Sequence, residues 1–346
     1  MNGVATTGGQ LWFSKVTEQL SCYDDLEVIN VSGPEVGKSR IRNIVSAYLQ
    51  GFKVLRRKPD AILLGVGKDG SAALSLLHIF LSKKSKIYLP FHHYEPMQIG
   101  KHSLIGKIFA NLLLYVTYEL NKKLWKEASA LFVVSESAKR EIAEKLKIPE
   151  SKLVLTGNSI ELHKEYYYEK IQKDIDFLCI GRIGKFSHLV NIWREIRKMN
   201  YNLNFHMAGL GKENPTVQEL EKIGNFVHHG FVNEATKIDL YKRSKVFVSP
   251  SCYEGFGIAV AEALSHGCPV VVWDLPVYEE LWGKNEAVRK VEIGDYKSFA
   301  REAVYALENF NRLSKEAKTV SSKLNKSWKD IARIVHNTIV ESFKET

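Results

Sequence analysis

One stretch, Lys245 to Glu280, constrains the fold of this 346-residue chain more than any other: KVFVSPSCYEGFGIAVAEALSHGCPVVVWDLPVYEE. Val246 to Val248 is an apolar run without polar alternation, the pattern of a parallel strand covered on both faces. Pro250 to Gly257 reads as a loop. Ile258 to His266 carries Ala, Val, Leu and Glu at helical spacing until Gly267 and Pro269 stop it. A second solid apolar run, Val270 to Trp273, follows. Strand, glycine turn, helix and strand make a β-α-β unit, the building block of a parallel sheet, so the chain is α/β.

The same unit carries the first chemical signal. Glu254 falls at the carboxyl end of the strand and Glu262 about one turn into the helix, with seven residues between them, so both face one rim. The N–H groups of Gly255, Phe256 and Gly257 lie where a helix begins, and unpaired donors there attract an anion such as a phosphate. A carboxylate beside an anion site suits a ligand that is also neutral and rich in hydroxyls, and a sugar linked to a phosphate meets both demands. The alternative is a pair of solvated surface charges beside an ordinary turn.

SCYEGFGIAVAEALSHGCPVVV resembles the signature of the retaining, nucleotide-sugar-dependent glycosyltransferases of family 4, whose fold is GT-B. The resemblance implies that Glu254 contacts the transferred sugar and that Glu262 holds the ribose hydroxyls of the nucleotide. It extends donor binding to Gly255, Phe256, Gly257 and Ile258. Further landmarks of the family recur in order along nearly the whole chain.

Composition is that of an ordinary globular protein, 45% hydrophobic and 25% charged. Cys22, Cys179, Cys252 and Cys268 show neither metal spacing nor a disulfide framework, which suits a reducing, cytoplasmic compartment. Met1 to Ser14 lacks the basic start and apolar core of a secretory signal. The charge-free run Gly70 to Ser82, 13 residues, is too short to span a bilayer. Net charge is +10; up to Glu165 there are 23 Lys and Arg against 16 Asp and Glu, an excess of 7, which leaves an excess of 3 for the remainder. A basic first half suits peripheral contact with an anionic membrane face or a phosphorylated acceptor, and it equally suits plain solubilising charge. Aromatic residues are spread through core-like segments, which argues against a nucleic-acid platform.

Taken in order, Gly8-Gly9 leads into a helix from Gln10 to Leu20 with only MNGVATT before it, where family members place a full strand. Either the start lies upstream or Val4 to Thr7 makes a minimal strand; the resemblance brings Gly8 and Gly9 near the donor diphosphate or the acceptor. Leu26 to Val31 reads as the next strand. SGPEVGKSR, Ser32 to Arg40, falls short of a P-loop, because only three residues separate Gly33 from Gly37 where four are needed, and Pro34 removes a donor. Gly65-Val66-Gly67-Lys68-Asp69-Gly70 matches a dinucleotide fingerprint, yet the following strand, Lys86 to Phe91, ends in His92-His93 with no acidic residue for a ribose. It reads as a doubly wound turn instead. By resemblance His92 faces the cleft and donates to the sugar or the leaving phosphate. Ser103 to Glu127 reads as a core helix, with an interfacial membrane helix as the alternative.

Residues 161–174 read as the interdomain linker. A strand from Asp176 to Ile180 then ends in Gly181-Arg182. The resemblance implies that Arg182, and Lys185 less directly since it falls early for the family's lysine, neutralise the leaving diphosphate. Asp174-Ile175-Asp176 is a superficial Asp-x-Asp motif that precedes a strand instead of ending one, and no metal is expected. Leu203 to Ala208 is a strand, and Phe226 to Val232 resembles the family strand that cradles the nucleotide base, which adds Gly230 and Phe231 to the donor contacts. Ser298 to Leu313 and Asp330 to Phe343 read as closing helices.

The expected architecture is two Rossmann-like domains facing across a cleft, with parallel sheets flanked by helices. Residues 1–162 form the acceptor domain, 163–326 the nucleotide-sugar donor domain, and 327–346 a helix that packs back on the first. The implied activity moves a hexose from a UDP- or GDP-sugar to a hydroxyl of a glycan, lipid-linked or protein-linked acceptor, with retention and without a cofactor. A nucleotide-sugar epimerase or phosphorylase on the same fold, or a non-catalytic nucleotide-sugar-binding protein, is the alternative.

Overall fold

The computed structural model describes residues 8–28, 56–64, 85–91, 118–119, 121–160, 172–181, 186, 188–199, 202–209, 211–321 and 326–344. The chain divides into two compact units, one built on Ser159–Ser327 and the other on Ala5–Asn158 with Trp328–Thr346. Each contains a wholly parallel sheet flanked by helices.

In the unit built on Ala5–Asn158, four strands lie in the order β1 (Ala61–Leu63), β2 (Lys86–Phe91), β3 (Ala130–Val133) and β4 (Leu153–Leu155). Every residue of β3 is buried, as expected of a strand covered on both faces. The helix α2 (Glu136–Leu146) starts where the Ser135 hydroxyl accepts from the Ala138 N–H at 3.1 Å, and it buries Ala138, Ile142 and Leu146 against the sheet. The first helix, α1 (Gly8–Leu20), begins two residues before the predicted start, so Gly8 and Gly9 are its first helical residues and not a turn ahead of it. Residues 26–28, the described part of the strand expected over Leu26 to Val31, are not a strand.

The last helix of the chain, Trp328–Lys344, packs on α1 within this same unit. Its Ser342 holds two residues of β2: Tyr88 shares a hydroxyl contact of 2.5 Å with the Ser342 side chain, and Lys86 donates to the Ser342 carbonyl. His336 stacks on Tyr23, with ring centres 4.0 Å apart, and meets Asp25 at 2.8 Å.

The second unit has six strands in the order β10-β9-β8-β5-β6-β7. These are β5 (Ile175–Ile180), β6 (Phe205–Ala208), β7 (Phe226–Gly230), β8 (Ser244–Ser249), β9 (Val270–Trp273) and β10 (Val288–Val291). Between them run α3 (Leu189–Lys198), α4 (Pro215–Ile223), α5 (Glu234–Arg243), α6 (Ile258–Ser265) and α7 (Pro276–Trp282). Helix α3 buries Leu189, Ile192, Trp193 and Ile196, a single stripe at helical spacing. Trp193 lies against Phe205 with ring centres 5.3 Å apart, and its indole N–H donates to the Gly224 carbonyl at 3.1 Å.

The closing helix expected over Ser298 to Leu313 is two helices, α8 (Tyr296–Glu308) and α9 (Phe310–Ser321), which leaves Trp328–Lys344 as α10. Asn309 makes the break. Its side-chain amide donates to the Tyr305 carbonyl at 2.9 Å, a local bond that competes with helix continuation, and its own carbonyl accepts the Leu313 N–H of the next helix at 3.1 Å. Strand β7 stops at Gly230, whose φ of +67° leaves the extended region, instead of at Val232, and a register shift opposite Met207 and Ala208 sets His228 and Gly230 against consecutive partners, a β-bulge within the strand.

The carboxyl ends of β5, β6 and β7 are drawn tightly together. Gly209, at φ +110°, places its N–H 2.7 Å from the Gly230 carbonyl, and a Cβ there would come within 1.8 Å of the Gly181 carbonyl oxygen. Gly209→Ala therefore loses more stability in urea unfolding than the about 1–2 kcal/mol that a positive φ alone costs an L-residue. Between β6 and β7, His206 and His229 share a ring-nitrogen contact of 3.0 Å. Burial first, and then His229, hold the His206 imidazole down at about 4. Because the folded value lies below the unfolded one, stability is full above about pH 6.5 and declines as pH falls toward about 4. His206→Gln should flatten that part of a melting-temperature profile.

Candidate active site

In the six-stranded sheet the chain runs from β5 outward through β6 and β7, then returns to place β8 beside β5 and runs outward the other way through β9 and β10. The crevice between the carboxyl ends of β5 and β8 is thus a topological switch point, the position where open parallel sheets take their ligands. The loop after β8 carries Glu254, Gly255, Phe256 and Gly257 into this position, and α6 follows directly.

Local structure explains how the loop is held. The Trp273 indole N–H donates to the Pro250 carbonyl at 3.0 Å, and the Ser251 hydroxyl donates to the Tyr253 carbonyl at 3.0 Å. Cys252 lies 3.2 Å from His188 Nε2, whose other nitrogen lies 2.9 Å from the Tyr296 hydroxyl. Burial lowers the His188 imidazole and raises the Cys252 thiol, so the pair is neutral around neutral pH. His188 precedes α3 and Tyr296 opens α8, so this contact ties the loop after β8 to the loop after β5.

Gly257 caps α6 at φ +83°, and a Cβ there would sit 3.0 Å from a ring carbon of the fully buried Tyr278. No side chain caps the helix. Its first N–H groups therefore face the switch point as donors for an anion. Tyr278 underlies the turn from α7; burial, and then the Glu254 carboxylate, push its phenol well above the ordinary value, so it stays protonated.

Glu262 is the fifth residue of α6 and is drawn toward α5. Lys237 donates to one carboxylate oxygen at 2.8 Å and the Tyr241 hydroxyl to the other at 3.1 Å. Lys237 also meets Glu234 at 3.0 Å. Burial raises the Glu262 carboxyl and Lys237 opposes it. For Lys237 the desolvation that would lower its ammonium is outweighed by Glu262, and the net direction is up. Lys237, Tyr241 and His188 are absent from the sequence reading. The signal for the first two was present, since Lys237 and Tyr241 are four residues apart on a helix that starts at the Asn233 cap and so share a face.

The structure brings Glu254, Gly255, Phe256, Gly257, Ile258 and Glu262 together on one loop and one helix. Gly230 and Phe231 lie at the same edge of the sheet, but β5 and β6 stand between β7 and β8, so they are about 14 Å away across the strands. Phe231 is 78% exposed there. Gly8 and Gly9 open α1 in the other unit. Arg182, Lys185 and His92 lie outside the described residues, as do Ser32 to Arg40 and the glycine pattern from Gly65 to Gly70. Asp174 and Asp176 stand at the opposite, amino end of β5, where Arg243 holds Asp174 at 2.6 Å and Lys245 holds Asp176 at 2.8 Å. Among the described residues no three His, Cys, Asp or Glu side chains gather as metal ligands, and no helix is long and apolar enough to cross a membrane.

Residues 174–309 match the model of the glycosyl transferases group 1 family. An O-antigen chain mannosyltransferase of Salmonella typhimurium is 29% identical over 191 residues, 52% of this chain and 50% of that protein. The N,N'-diacetylbacillosaminyl-diphospho-undecaprenol alpha-1,3-N-acetylgalactosaminyltransferase of Campylobacter jejuni is 27% identical over 60% of each chain. The chain spans about half the length of the curated relatives it matches. Among solved structures, the sucrose-phosphate synthase of Thermosynechococcus elongatus superposes with a TM-score of 0.71 at 15% identity, covering 98% of this chain and 94% of the other. The glycosyltransferase of Rickettsia africae gives 0.66 at 14% identity over 99% and 97%. The chain has the GT-B fold, and its residues 174–309 are similar to the glycosyl transferases group 1.

Proposed function

We propose that the protein transfers a hexose from a nucleoside diphosphate sugar to an acceptor hydroxyl with retention of configuration. The observation that carries this reading is the pairing of two carboxylates, Glu254 and Glu262, around the uncapped amino end of α6 at the switch point of the sheet. The amide donors of Gly257 and Ile258 suit the diphosphate, Glu262 the ribose diol, and Glu254 the hydroxyls of the sugar. Phe231 and Gly230, across the edge, are at a distance suited to the base. Arg182 and Lys185 are the cations assigned to the leaving diphosphate, whose charge grows as the glycosidic bond breaks and the sugar becomes oxocarbenium-like. With cations and a helix terminus in that role, the transfer step is assigned no metal.

The names of the relatives support a glycan or lipid-linked acceptor, since they include an O-antigen mannosyltransferase and a transferase acting on a diphospho-undecaprenol sugar. The excess of positive charge before Glu165 suits approach to the cytoplasmic face of an anionic membrane that carries such an acceptor.

Donor binding and transfer separate the two glutamates. Glu262→Ala removes a charged acceptor shared by two hydroxyls, each such bond being worth about 1.5–3 kcal/mol, so the Kd for UDP or GDP should rise on the order of 100-fold by calorimetry. Glu254→Ala should leave that Kd within about threefold while sugar transfer falls by on the order of 100-fold or more, a loss comparable to that of a single oxyanion donor. The reverse pattern would exchange the roles. Product formation that stops in EDTA and returns with a divalent ion would contradict the metal-free step, and an inverted anomeric signal in the product by NMR would contradict retention.

A further inference from the structure

Both oxygens of Glu262 are already engaged, and by a single helix. Lys237 Nζ and Tyr241 Oη, one turn apart on α5, donate to Oε1 and Oε2 at 2.8 and 3.1 Å. Tyr241 cannot swing away: it is fully buried, its ring lies near-parallel to His266 with centres 5.5 Å apart, and its hydroxyl also donates to the Ala259 carbonyl at 3.2 Å. An ionised carboxylate offers about four acceptor positions. With one taken on each oxygen, each keeps one, and the carboxylate plane is fixed by two donors from the same rigid element. A pair of vicinal hydroxyls is the ligand that fills one position on each oxygen.

We infer that Lys237, with Tyr241, is a positioning residue for donor binding, keeping Glu262 ionised and its carboxylate plane set for a ribose diol. The inference rests on the nucleotide-sugar reading above. Lys237 acts through Glu262 and is not itself assigned a contact with the reacting atoms.

The charges around Glu262 can be named from each side. Helix α5 presents Lys237, Glu234 and Tyr241; α6 itself ends in His266, whose Nδ1 lies 2.8 Å from the Glu262 backbone carbonyl; and α9 brings Lys318 against Gly267. Among the described residues Lys237 is the one cation within hydrogen-bond reach of the carboxylate. Burial already pushes the Glu262 carboxyl up and Lys237 counters it. Without Lys237 the carboxyl keeps its proton to higher pH, and a protonated carboxyl has lost one acceptor position.

This separates a charge-setting lysine from a simple strut between α5 and α6, because binding and stability then move oppositely with pH. In Lys237→Met, the Kd for UDP or GDP relative to wild type at the same pH should be raised about tenfold or more near pH 6, narrowing to about threefold or less near pH 8.5. The melting temperature of the ligand-free variant should behave the other way. A carboxyl whose folded pKa is raised is favourable while protonated and unfavourable once ionised, so the variant falls further behind wild type as pH rises. Adding Glu262→Gln to Lys237→Met should remove that pH-dependent gap, and Lys237→Arg should restore wild-type behaviour in both readouts. Should Lys237→Met not fold, Lys237→Gln takes its place. Tyr241→Phe keeps the charge and should weaken binding by a similar factor at every pH.

A Lys237→Met deficit that is flat with pH in both readouts, or binding equal to wild type near pH 6, would overturn the inference while wild-type nucleotide binding leaves the site reading intact. A wild-type protein that binds neither UDP nor GDP would instead overturn the site reading and the ligand of this inference together.

Discussion

A parallel sheet has only one edge at which strands finish and helices begin, and the candidate site follows from that constraint. Each crossover must carry the chain back over a face of the sheet before the next strand starts, so the carboxyl ends of all six strands of the second unit share one rim with the amino ends of the helices that follow them. Fully buried strands such as Val270–Trp273 are possible because helices cover both faces. Where the order reverses, between β5 and β8, two neighbouring loops diverge and leave a crevice. The Glu254 loop and the start of α6 occupy that crevice because they directly follow β8.

Around this rim the polar groups divide into those that remain open to a ligand and those that hold them in place. The amino end of α6 has no side-chain cap, whereas α5 and α4 are capped by Asn233 and Asn214. An uncapped helix with glycine at its N-cap leaves its donors available where a cap residue would have satisfied them. The groups beneath are tightly engaged: Tyr278 fills the space that a side chain at Gly257 would need, His188 bridges Cys252 and Tyr296, and Lys237 with Tyr241 grips Glu262. Fixed partners behind an open set of donors and acceptors are what preorganisation requires, because the site then does not reorganise when charge develops.

Much of this was legible in the sequence because it is local. The apolar runs at Val246 to Val248 and Val270 to Trp273, and the glycines around Phe256, lie within one β-α-β unit, so periodicity and turn chemistry were sufficient to read it. What escaped is either a competition within the chain or a partnership across it. The break at Asn309 is a side chain outbidding helix continuation, which the apolar pattern from Ser298 to Leu313 does not register. Strand β7 carries a bulge against its neighbour β6 and ends where Gly230 turns to a positive φ. Lys237 shares with Glu262 a contact across 25 residues, and Cys252 with His188 one across 64. Such pairings arise only when helices are laid on the sheet, and no spacing rule reaches them.

The roles of Glu254, Glu262 and the start of α6 all depend on a nucleoside diphosphate binding at the rim between β5 and β8. A crystal structure of the protein soaked with UDP or GDP tests this most directly. The expected result is difference density with a phosphate within hydrogen-bond distance, about 2.7–3.2 Å, of the amide nitrogens at the start of α6 and with both ribose hydroxyls on the Glu262 carboxylate. A nucleotide bound at another edge of the sheet, or one at this rim with its ribose turned away from Glu262, would contradict it.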